Sequence, residues 1–256
     1  MKRHLKTPAI ILAGRDLGES DRLLTLFTRD LGRLSAVARA ARRSKRRFTG
    51  TLELFSLVEA GLIDQGRDLL HLDSCDLVEP FEAIRADVRR YAGACYLCEL
   101  ARELFPEREP AQAAFGLLSH ALGRLAGGQD APAWERLAAL RLLALAGFAP
   151  RLEGCLRCGA PPEPPLRFLP AVGGLLCPAC AATDQAAQAQ GPVEVSAGTL
   201  RLLSEALRLE PGRLSRLRFS RLALQESERL LTALVRQVLG KDLKSRRFRE
   251  SVGPLA

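Results

Sequence analysis

The sequence lacks any apolar stretch approaching 18 residues, the length that a membrane-spanning helix needs. The N-terminus is basic, but the apolar run Ala9–Ala13 is too short for the hydrophobic region of a signal peptide. We therefore expect a cytoplasmic protein with no membrane contact. In that compartment a metal site is a better first interpretation of seven cysteines than disulfide bonds.

The sequence also lacks the common catalytic motifs. It has no G-x-x-x-x-G-K-[ST] loop, no H-E-x-x-H and no G-x-S-x-G. Its three histidines are His4, His71 and His120, and no two of them stand at ligand spacing. Carboxylate pairs such as Asp73 and Asp76 have no supporting site around them. These absences exclude a P-loop ATPase and predict that the protein is not an enzyme.

What the sequence does contain is an uneven distribution of charge. The 256 residues are 47% hydrophobic and 26% charged, so the chain can bury a core and is not compositionally disordered. Residues 1–50 carry 13 basic and 4 acidic residues, residues 51–200 carry 12 and 19, and residues 201–256 carry 13 and 6. The net charge of +9 therefore hides two basic ends around an acidic middle. Basic ends favour a polyanionic partner.

The first 80 residues have the pattern of short strands. Apolar, partly alternating runs are separated by turn signals such as Asp30-Leu31-Gly32. Connections of hairpin length predict a small antiparallel barrel or sandwich that ends at Pro80. The five predicted strands are Pro8–Leu17, Arg22–Thr28, Arg33–Arg39, Leu52–Ile63 and Leu69–Val78.

After Pro80 the apolar period becomes that of helices. Apolar residues recur every three or four positions from Phe81 to Phe105. Residues 150–192 lose this periodicity, and the tail Lys241–Ala256 is basic and is expected to fray at Gly253-Pro254. The other predicted helices are Pro110–Leu125, Pro132–Ala146, Ser196–Leu209 and Arg221–Leu239.

Four of the cysteines form two knuckles. Cys155 and Cys158 make one C-x-x-C pair, Cys177 and Cys180 make the other, and 18 residues lie between the pairs. This spacing is typical of a zinc site, and Gly159 tolerates the unusual backbone angles that follow the second thiolate. Four thiolates fill a tetrahedral Zn²⁺ site and leave no position for water, so we expect one structural zinc ion. The alternatives are a redox pair or unligated thiols.

Cys95 and Cys98 also stand as a C-x-x-C pair, but both fall on the apolar stripe of a predicted helix. Because free cysteine behaves as a small buried hydrophobe, core packing is favoured over metal or redox use. Cys75, in the last predicted strand, is interpreted in the same way.

The first of three basic clusters lies in and after the third predicted strand, where no acidic residue interrupts it. A basic loop beside a small barrel is typical of proteins that follow a phosphate backbone. Phe48 is the only aromatic residue nearby, so backbone contacts with weak sequence preference are expected. The alternative is a solvated, flexible charge run. The predicted DNA contacts in this cluster are Arg33, Arg39, Arg42, Arg43, Lys45, Arg46 and Arg47.

The second cluster runs from Arg236 to Arg249, and in it Lys244, Arg246 and Arg247 are predicted DNA contacts. The helix dipole offers another explanation for Arg236 and Lys241, since it favours cations near a helix C-terminus. The third cluster comprises Arg213, Arg216, Arg218 and Arg221.

The run GESDRLLTLFT at 18–28, then LGR at 31–33 and ARAARR at 38–43, resembles the RecO family of bacterial recombination mediators. The ending LKSRRF at 243–248 is also similar, and the length and order of parts agree, so the resemblance covers nearly the whole chain. Ala40 stands where the family often has glycine. The four-cysteine site occurs in some members only, which favours a structural role.

The resemblance implies an α+β multidomain protein. It implies an OB-fold DNA-binding domain over residues 1–80, an α-helical domain over residues 81–150 and 193–256, and a zinc-binding segment over residues 151–192. It further implies binding to single- and double-stranded DNA, annealing of complementary strands, and help in loading RecA onto coated single strands. The implied partners are RecR and single-strand binding protein, with RecF as a further one, and the implied location is cytoplasmic and nucleoid-associated.

Three other interpretations stay open. A zinc-ribbon transcription factor would need a recognition helix that reaches base edges. A metal-dependent nuclease or nucleotidyl transferase would need a carboxylate cluster near a phosphate site. A nonenzymatic scaffold would carry its basic ends for solubility only. Salt-dependent binding to random single- and double-stranded oligonucleotides separates these interpretations.

Overall fold

The computed structural model describes residues 2–43, 47–48, 50–66, 68–128, 131–161, 166–184 and 191–252. The chain forms two compact units. The barrel unit comprises Met1–Ala131 together with Ser245–Leu255, and the cysteine unit comprises Pro132–Lys244. The sequence predicts three domains, whereas the contacts divide the chain into two units. The three-domain division stays a prediction.

Five strands close into a barrel in the order β1-β2-β3-β5-β4. All neighbouring strands pair antiparallel except β3 and β5, which pair in parallel at Ala36 and Leu70. An antiparallel barrel was predicted, but strand directions cannot alternate all round a closed ring with an odd number of strands, so one parallel pair is required. The strands are β1 (Arg3–Leu17), β2 (Asp21–Thr28), β3 (Gly32–Ala38), β4 (Leu57–Asp64) and β5 (Leu70–Glu79).

The barrel is buried on its inside and on part of its outside. Ala9 and Ile11 of β1 belong to the interior core, while Ile10 between them points the other way and is also fully buried. On β2, the Phe27 ring lies 5.5 Å from the Phe105 ring and 6.3 Å from the Phe115 ring, centroid to centroid. Helices therefore cover the outer face at this point, which explains the unbroken apolar run in β1.

Four helices belong to the barrel unit. The first two are separated by Asp87, whose carboxylate accepts hydrogen bonds from the backbone N–H groups of Arg89 and Arg90. The predicted continuous helix from Phe81 to Phe105 is therefore broken by an N-cap. The helices are α1 (Glu82–Arg85), α2 (Val88–Leu104), α3 (Gln112–Gly127) and α8 (Lys244–Val252), the last joining this unit from Ser245 onward.

The loop between α2 and α3 lies against the edge of β3. The backbone N–H of Arg108 donates to the carbonyl oxygen of Arg33 over 2.9 Å. Gly32 has a φ of +71°, and a Cβ there would lie 2.0 Å from the carbonyl oxygen of Glu109. Only glycine meets both demands, since it adopts positive φ freely and leaves room for the approaching backbone.

Helix α8 was not predicted from the sequence, and the fraying expected at Gly253-Pro254 lies outside the described residues. The Glu99 carboxylate on α2 accepts a hydrogen bond from the backbone N–H of Ser245 over 2.7 Å. The Phe248 ring lies edge-on to Tyr91 at 6.2 Å, and Tyr91 lies edge-on to Phe55 of the barrel at 5.1 Å. These aromatic contacts join the C-terminal helix, α2 and the barrel into one packed group.

The cysteine unit surrounds a four-stranded sheet of order β6-β8-β7-β9. Its strands are only three to five residues long, which is too short for an alternating pattern to stand out. The sequence analysis missed this sheet for that reason. The strands are β6 (Arg151–Cys155), β7 (Leu166–Leu169), β8 (Gly174–Leu176) and β9 (Val193–Val195).

The helices of the cysteine unit are fixed by polar contacts at their ends. The buried Glu226 carboxylate accepts hydrogen bonds from the backbone N–H of Ser196, over 3.1 Å, and from its hydroxyl, over 2.6 Å. Ser196 in turn caps the helix that follows it. Within the ranges that the structure describes, no helix is long and apolar enough to span a membrane. The helices are α4 (Ala131–Leu145), α5 (Pro178–Thr183), α6 (Ala197–Arg208) and α7 (Arg221–Leu239), with 3₁₀ turns at Pro170–Val172 and Pro211–Arg216.

The contact between Glu99 and Ser245 predicts that Glu99→Ala loosens α8. The substitution leaves the Ser245 N–H without its acceptor at the start of a short helix, a loss of about 1–2 kcal/mol. Hydrogen exchange of the amides in residues 246–252 should become faster, while that of β1 and β2 stays slow. Asp76→Ala, which removes an exposed carboxylate from β5, is the control. Unchanged exchange in α8 would contradict the proposed anchoring.

Candidate metal centre and nucleic-acid interface

The four cysteines of the two knuckles converge in the cysteine unit. Their Sγ atoms all lie within 4.8 Å of one another, and those of Cys158 and Cys177 are 3.7 Å apart. Four thiolates at about 2.3 Å from a tetrahedral Zn²⁺ ion are separated by roughly 3.8 Å. The spacing predicted from the sequence therefore corresponds to a cluster that could hold a metal ion.

Two tight turns bring the thiols together. Cys155 ends β6, and the backbone N–H of Gly159 returns to its carbonyl oxygen over 2.9 Å, with Gly159 at a φ of +71°. Cys177 is the N-cap of α5, where its Sγ accepts a hydrogen bond from the backbone N–H of Cys180 at 3.5 Å. Pro178 at the first position of α5 has a backbone preset for the helix. Each knuckle thus points its two sulfurs toward the same side.

The electrostatics of the cluster fit a cation. Burial opposes ionisation of Cys155, but backbone N–H groups at Cys158, Cys177 and Arg157 outweigh it and lower the pKa of Cys155 to about 6. The hydrogen bond with Cys177, burial and the charge of Cys155 raise the pKa of Cys180 to about 12. The first thiolate, at Cys155, therefore forms readily. Ionisation of the last thiol, at Cys180, is opposed by the sulfurs around it. A divalent ion removes that repulsion, so the residues present suit a thiolate-bound metal.

The other cysteines lie elsewhere, in the barrel unit. Cys75 and Cys98 are buried, and burial is the main reason that the pKa of each thiol lies above its usual value. Burial also raises the pKa of the half-exposed Cys95 to about 11. Such thiols are poor nucleophiles and poor ligands, which agrees with the packing role expected from the sequence.

The first basic cluster lies mainly after β3. Arg39, Arg42, Arg43 and Arg47 are exposed there, whereas Lys45 and Arg46 lie outside the described residues. A backbone contact orders this loop, since the Arg47 guanidinium donates to the carbonyl oxygen of Arg39 over 3.2 Å. We name the described arginines of this loop, 39 to 47, the loop arginines.

Arg33 differs from the loop arginines. It lies within β3, where its guanidinium donates to the Glu107 carboxylate over 2.9 Å and to the carbonyl oxygen of Phe105 over 3.1 Å. These contacts join β3 to the segment after α2. A side chain held in this way supports the fold, and its predicted role as a DNA contact stays a prediction.

A carboxylate holds the start of the basic loop. The Asp21 Oδ1 atom accepts a hydrogen bond from the backbone N–H of Ala40 over 2.8 Å, and the N–H of Arg42 donates to the carbonyl oxygen of Ser20 over 3.0 Å. The bond from Ala40, followed by that from Ser20, lowers the pKa of Asp21 below its usual value. Asp21 therefore stays ionised at neutral pH and acts as a fixed anchor for the loop.

Two further carboxylates face the loop arginines. The Arg42 guanidinium lies 3.6 Å from the Asp16 carboxylate, and that of Arg43 lies 3.4 Å from the Glu19 carboxylate. All four side chains are more than half exposed. These pairs were not predicted from the sequence, because Asp16 near the end of β1 and Glu19 in the turn after it lie more than 20 residues from their arginines. The only available signal was the ESD triplet at 19–21.

The C-terminal cluster is split between the two units. In the cysteine unit, the Arg236 guanidinium donates two hydrogen bonds to the two oxygens of the Asp242 carboxylate, over 2.9 and 2.8 Å. On α8, Arg246 donates to the Glu250 carboxylate over 2.8 Å, and Arg247 is exposed. Lys244, the first residue of α8, is also exposed.

The barrel is OB-like, a helical part and a four-cysteine cluster follow it, and the comparisons with known proteins agree with this combination. Residues 1–81 match the family model "Recombination protein O N terminal", and residues 85–247 match "Recombination protein O C terminal". The chain is 42% identical to the "DNA repair protein RecO" of Anaeromyxobacter dehalogenans (strain 2CP-C), over 98% of both chains. It is 38% identical to that of Myxococcus xanthus (strain DK1622), over 96% of both chains.

These features define a DNA repair and recombination protein with an OB-like barrel. The chain belongs to the RecO family. The resemblance seen in the sequence is thereby confirmed, as is the α+β fold class.

The backbone at Ala40 leads to a testable prediction. Ala40 has a φ of +53°, a region in which a Cβ is strained and glycine is not. Ala40→Gly should therefore raise the free energy of unfolding by about 0.5–1 kcal/mol, although glycine gains more entropy in the unfolded chain. Ala41→Gly, one position on and outside the left-handed region, should lower it by a similar amount. Urea unfolding of the two variants gives the comparison, and destabilisation by both would contradict the strain at Ala40.

Proposed function

We propose that this chain is a nonenzymatic recombination mediator that binds the phosphate backbone of single- and double-stranded DNA and anneals complementary strands. In this proposal residues 1–80 form the main DNA-binding domain, residues 81–150 and 193–256 form the helical domain, and residues 151–192 form the zinc-binding segment. The DNA contacts are the loop arginines with Lys45 and Arg46, assisted by Lys244, Arg246 and Arg247.

The observation that carries the proposal is the position of α8. The helix packs in the barrel unit through Phe248, Tyr91 and Phe55, so the basic N-terminal loop and the basic C-terminal helix are parts of one compact body. Basic side chains on one body can neutralise the phosphates of two approaching strands. Their mutual repulsion falls as a result, and annealing then needs no active site.

Zinc fits this proposal as a structural ion. Cys155, Cys158, Cys177 and Cys180 would hold it, and the zinc would join β6, the turn after it and α5 around a small apolar cluster that includes Leu169. Four protein ligands leave no open position for a reacting water, so a structural role follows from the donor set. The ion would supply folding free energy to strands too short to be stable alone.

The proposed partners are those of a mediator. RecR and single-strand binding protein, with RecF as a further partner, would act with the chain in a cytoplasmic, nucleoid-associated setting. RecA filament formation on single strands coated with single-strand binding protein is the direct assay. The chain should accelerate it only when RecR is present, and acceleration without RecR would overturn this assignment.

The metal proposal predicts one zinc ion per chain by elemental analysis. Cys155→Ser should abolish binding and lower the melting temperature, whereas Cys95→Ala, a control outside the cluster, should keep the ion. Each thiol must lose its proton to bind, so zinc should be retained against a chelator at pH 8 and lost progressively as protons compete for the sulfurs at lower pH. A zinc-free protein with an unchanged melting temperature would refute the structural role.

The DNA proposal predicts a loss of affinity on charge reversal of the loop. Arg42→Glu with Arg43→Glu should weaken binding to all oligonucleotide sequences alike, by at least about tenfold, and reduce the slope of log K against log salt by about two. Fluorescence anisotropy over a salt series gives both values. The matched control reverses Arg3 and Arg29, two exposed arginines elsewhere in the barrel unit.

The carboxylate beside Arg43 predicts the opposite change. Glu19→Gln removes an intramolecular competitor of phosphate and should raise DNA affinity about twofold, since exposed ion pairs of this kind are weak. Asp76→Asn makes the same charge change on β5 and should have a smaller effect. If Glu19→Gln and the loop reversal both leave affinity unchanged, the DNA surface lies elsewhere.

A further inference from the structure

The third basic cluster has no role in the function proposed above. It lies in the cysteine unit, from the 3₁₀ turn Pro211–Arg216 through the short connection after it to Arg221, the first residue of α7. Between Glu210 and Glu226 the chain carries no acidic residue. The same stretch contains four exposed arginines, which are Arg213, Arg216, Arg218 and Arg221.

The 3₁₀ turn gives two of these arginines a common direction. Side chains three residues apart on such a helix eclipse one another, and the rise of about 2.0 Å per residue separates them by roughly 6 Å. Arg213 and Arg216 have this spacing, while Leu214 between them is fully buried and fixes the turn to the unit. The turn therefore places Arg213 and Arg216 on one face, with Leu214 supporting it.

No carboxylate in the part of the chain that the structure describes compensates the charge of this cluster. Among the described residues, the side chains of Arg213, Arg216 and Arg221 have no ion-pair or hydrogen-bond partner. Arg218 donates only to backbone oxygens, at 2.6 Å from that of Ser215. This contrasts with Arg42 and Arg43, which lie beside carboxylates. An anion can reach these arginines without displacing any acidic group.

Stability does not account for the cluster. Arg221 is the first residue of α7, where the helix dipole disfavours a cation. Uncompensated like charges at short spacing also repel one another. Arg218 donates to two backbone oxygens. The other three side chains have no such contact among the described residues, and this suits them to an external anion.

We propose that a second nucleic-acid surface is formed by Arg213, Arg216, Arg218 and Arg221. This surface binds the phosphate backbone of one strand while the barrel unit holds a different strand. The inference rests on the proposed DNA-binding function and deepens it. Guanidinium groups pair with phosphate oxygens through two parallel hydrogen bonds. Such contacts are independent of base sequence, so the second strand needs no sequence relation to the first.

A bridging assay tests this surface. One oligonucleotide is fixed to beads, and a fluorescent, non-complementary oligonucleotide is offered in solution with the protein. The wild-type protein should retain the fluorescent strand on the beads. Arg213→Glu with Arg216→Glu should reduce this retention about tenfold and leave the affinity for a single oligonucleotide within about twofold, because the barrel surface is intact. The matched control is Arg151→Glu with Arg201→Glu, two other exposed arginines of the cysteine unit.

The outcomes separate this inference from the function on which it rests. If the wild-type protein binds no oligonucleotide, the proposed function fails. If it binds but bridging survives the Arg213 and Arg216 reversal, the second surface is wrong and bridging comes from association of chains. An equal loss of bridging in the control variant would show a general effect of charge and would contradict the proposed site. Preferential binding of polyglutamate over oligonucleotide, lost in the reversal, would assign the surface to an acidic protein and likewise overturn it. Circular dichroism melting and zinc content confirm that the variants fold.

Discussion

The placement of positive charge depends on the contacts that Tyr91 makes with two other aromatic rings. Tyr91 projects from α2, with Phe55 of the barrel on one side and Phe248 of the C-terminal helix on the other. Glu99 adds a polar contact by accepting the backbone N–H of Ser245, the second residue of that helix. The Arg249 guanidinium also lies over the Tyr96 ring, 4.3 Å from its centroid. A helix as basic as α8 has little apolar surface of its own, so these few contacts keep its charges beside the barrel.

The arginines of the chain fall into two electrostatic classes. Arg42 and Arg43 on the basic loop have carboxylates of the same unit within reach, whereas the third cluster has none among the described residues. A phosphate that meets the loop must compete with Asp16 and Glu19, which makes its binding there more sensitive to those acids. At the third cluster only water and ions are displaced. Two surfaces of unequal strength would let one strand be held while another is exchanged.

The sequence predicted those features that depend on local pattern. The barrel strands are seven residues or longer and are separated by clear turn signals, and the cysteine knuckles need only their spacing to converge on one point. The short sheet of the cysteine unit and the helix α8 were missed, because three-residue strands and a polar helix have no clear period. The partners of Arg33, Arg42 and Arg43 were missed because they lie far along the chain and are joined only by barrel closure.

The discontinuity of the barrel unit has a consequence during synthesis. Residues 132–244, a stretch of 113, are made between the main part of this unit and the segment Ser245–Leu255 that completes it. At about 5–20 residues per second, a ribosome needs on the order of ten seconds to cross that interval. For this time Tyr91 and the carboxylate of Glu99 face solvent or other molecules. The nascent chain therefore acquires its assembled cationic body only after the cysteine unit has been translated.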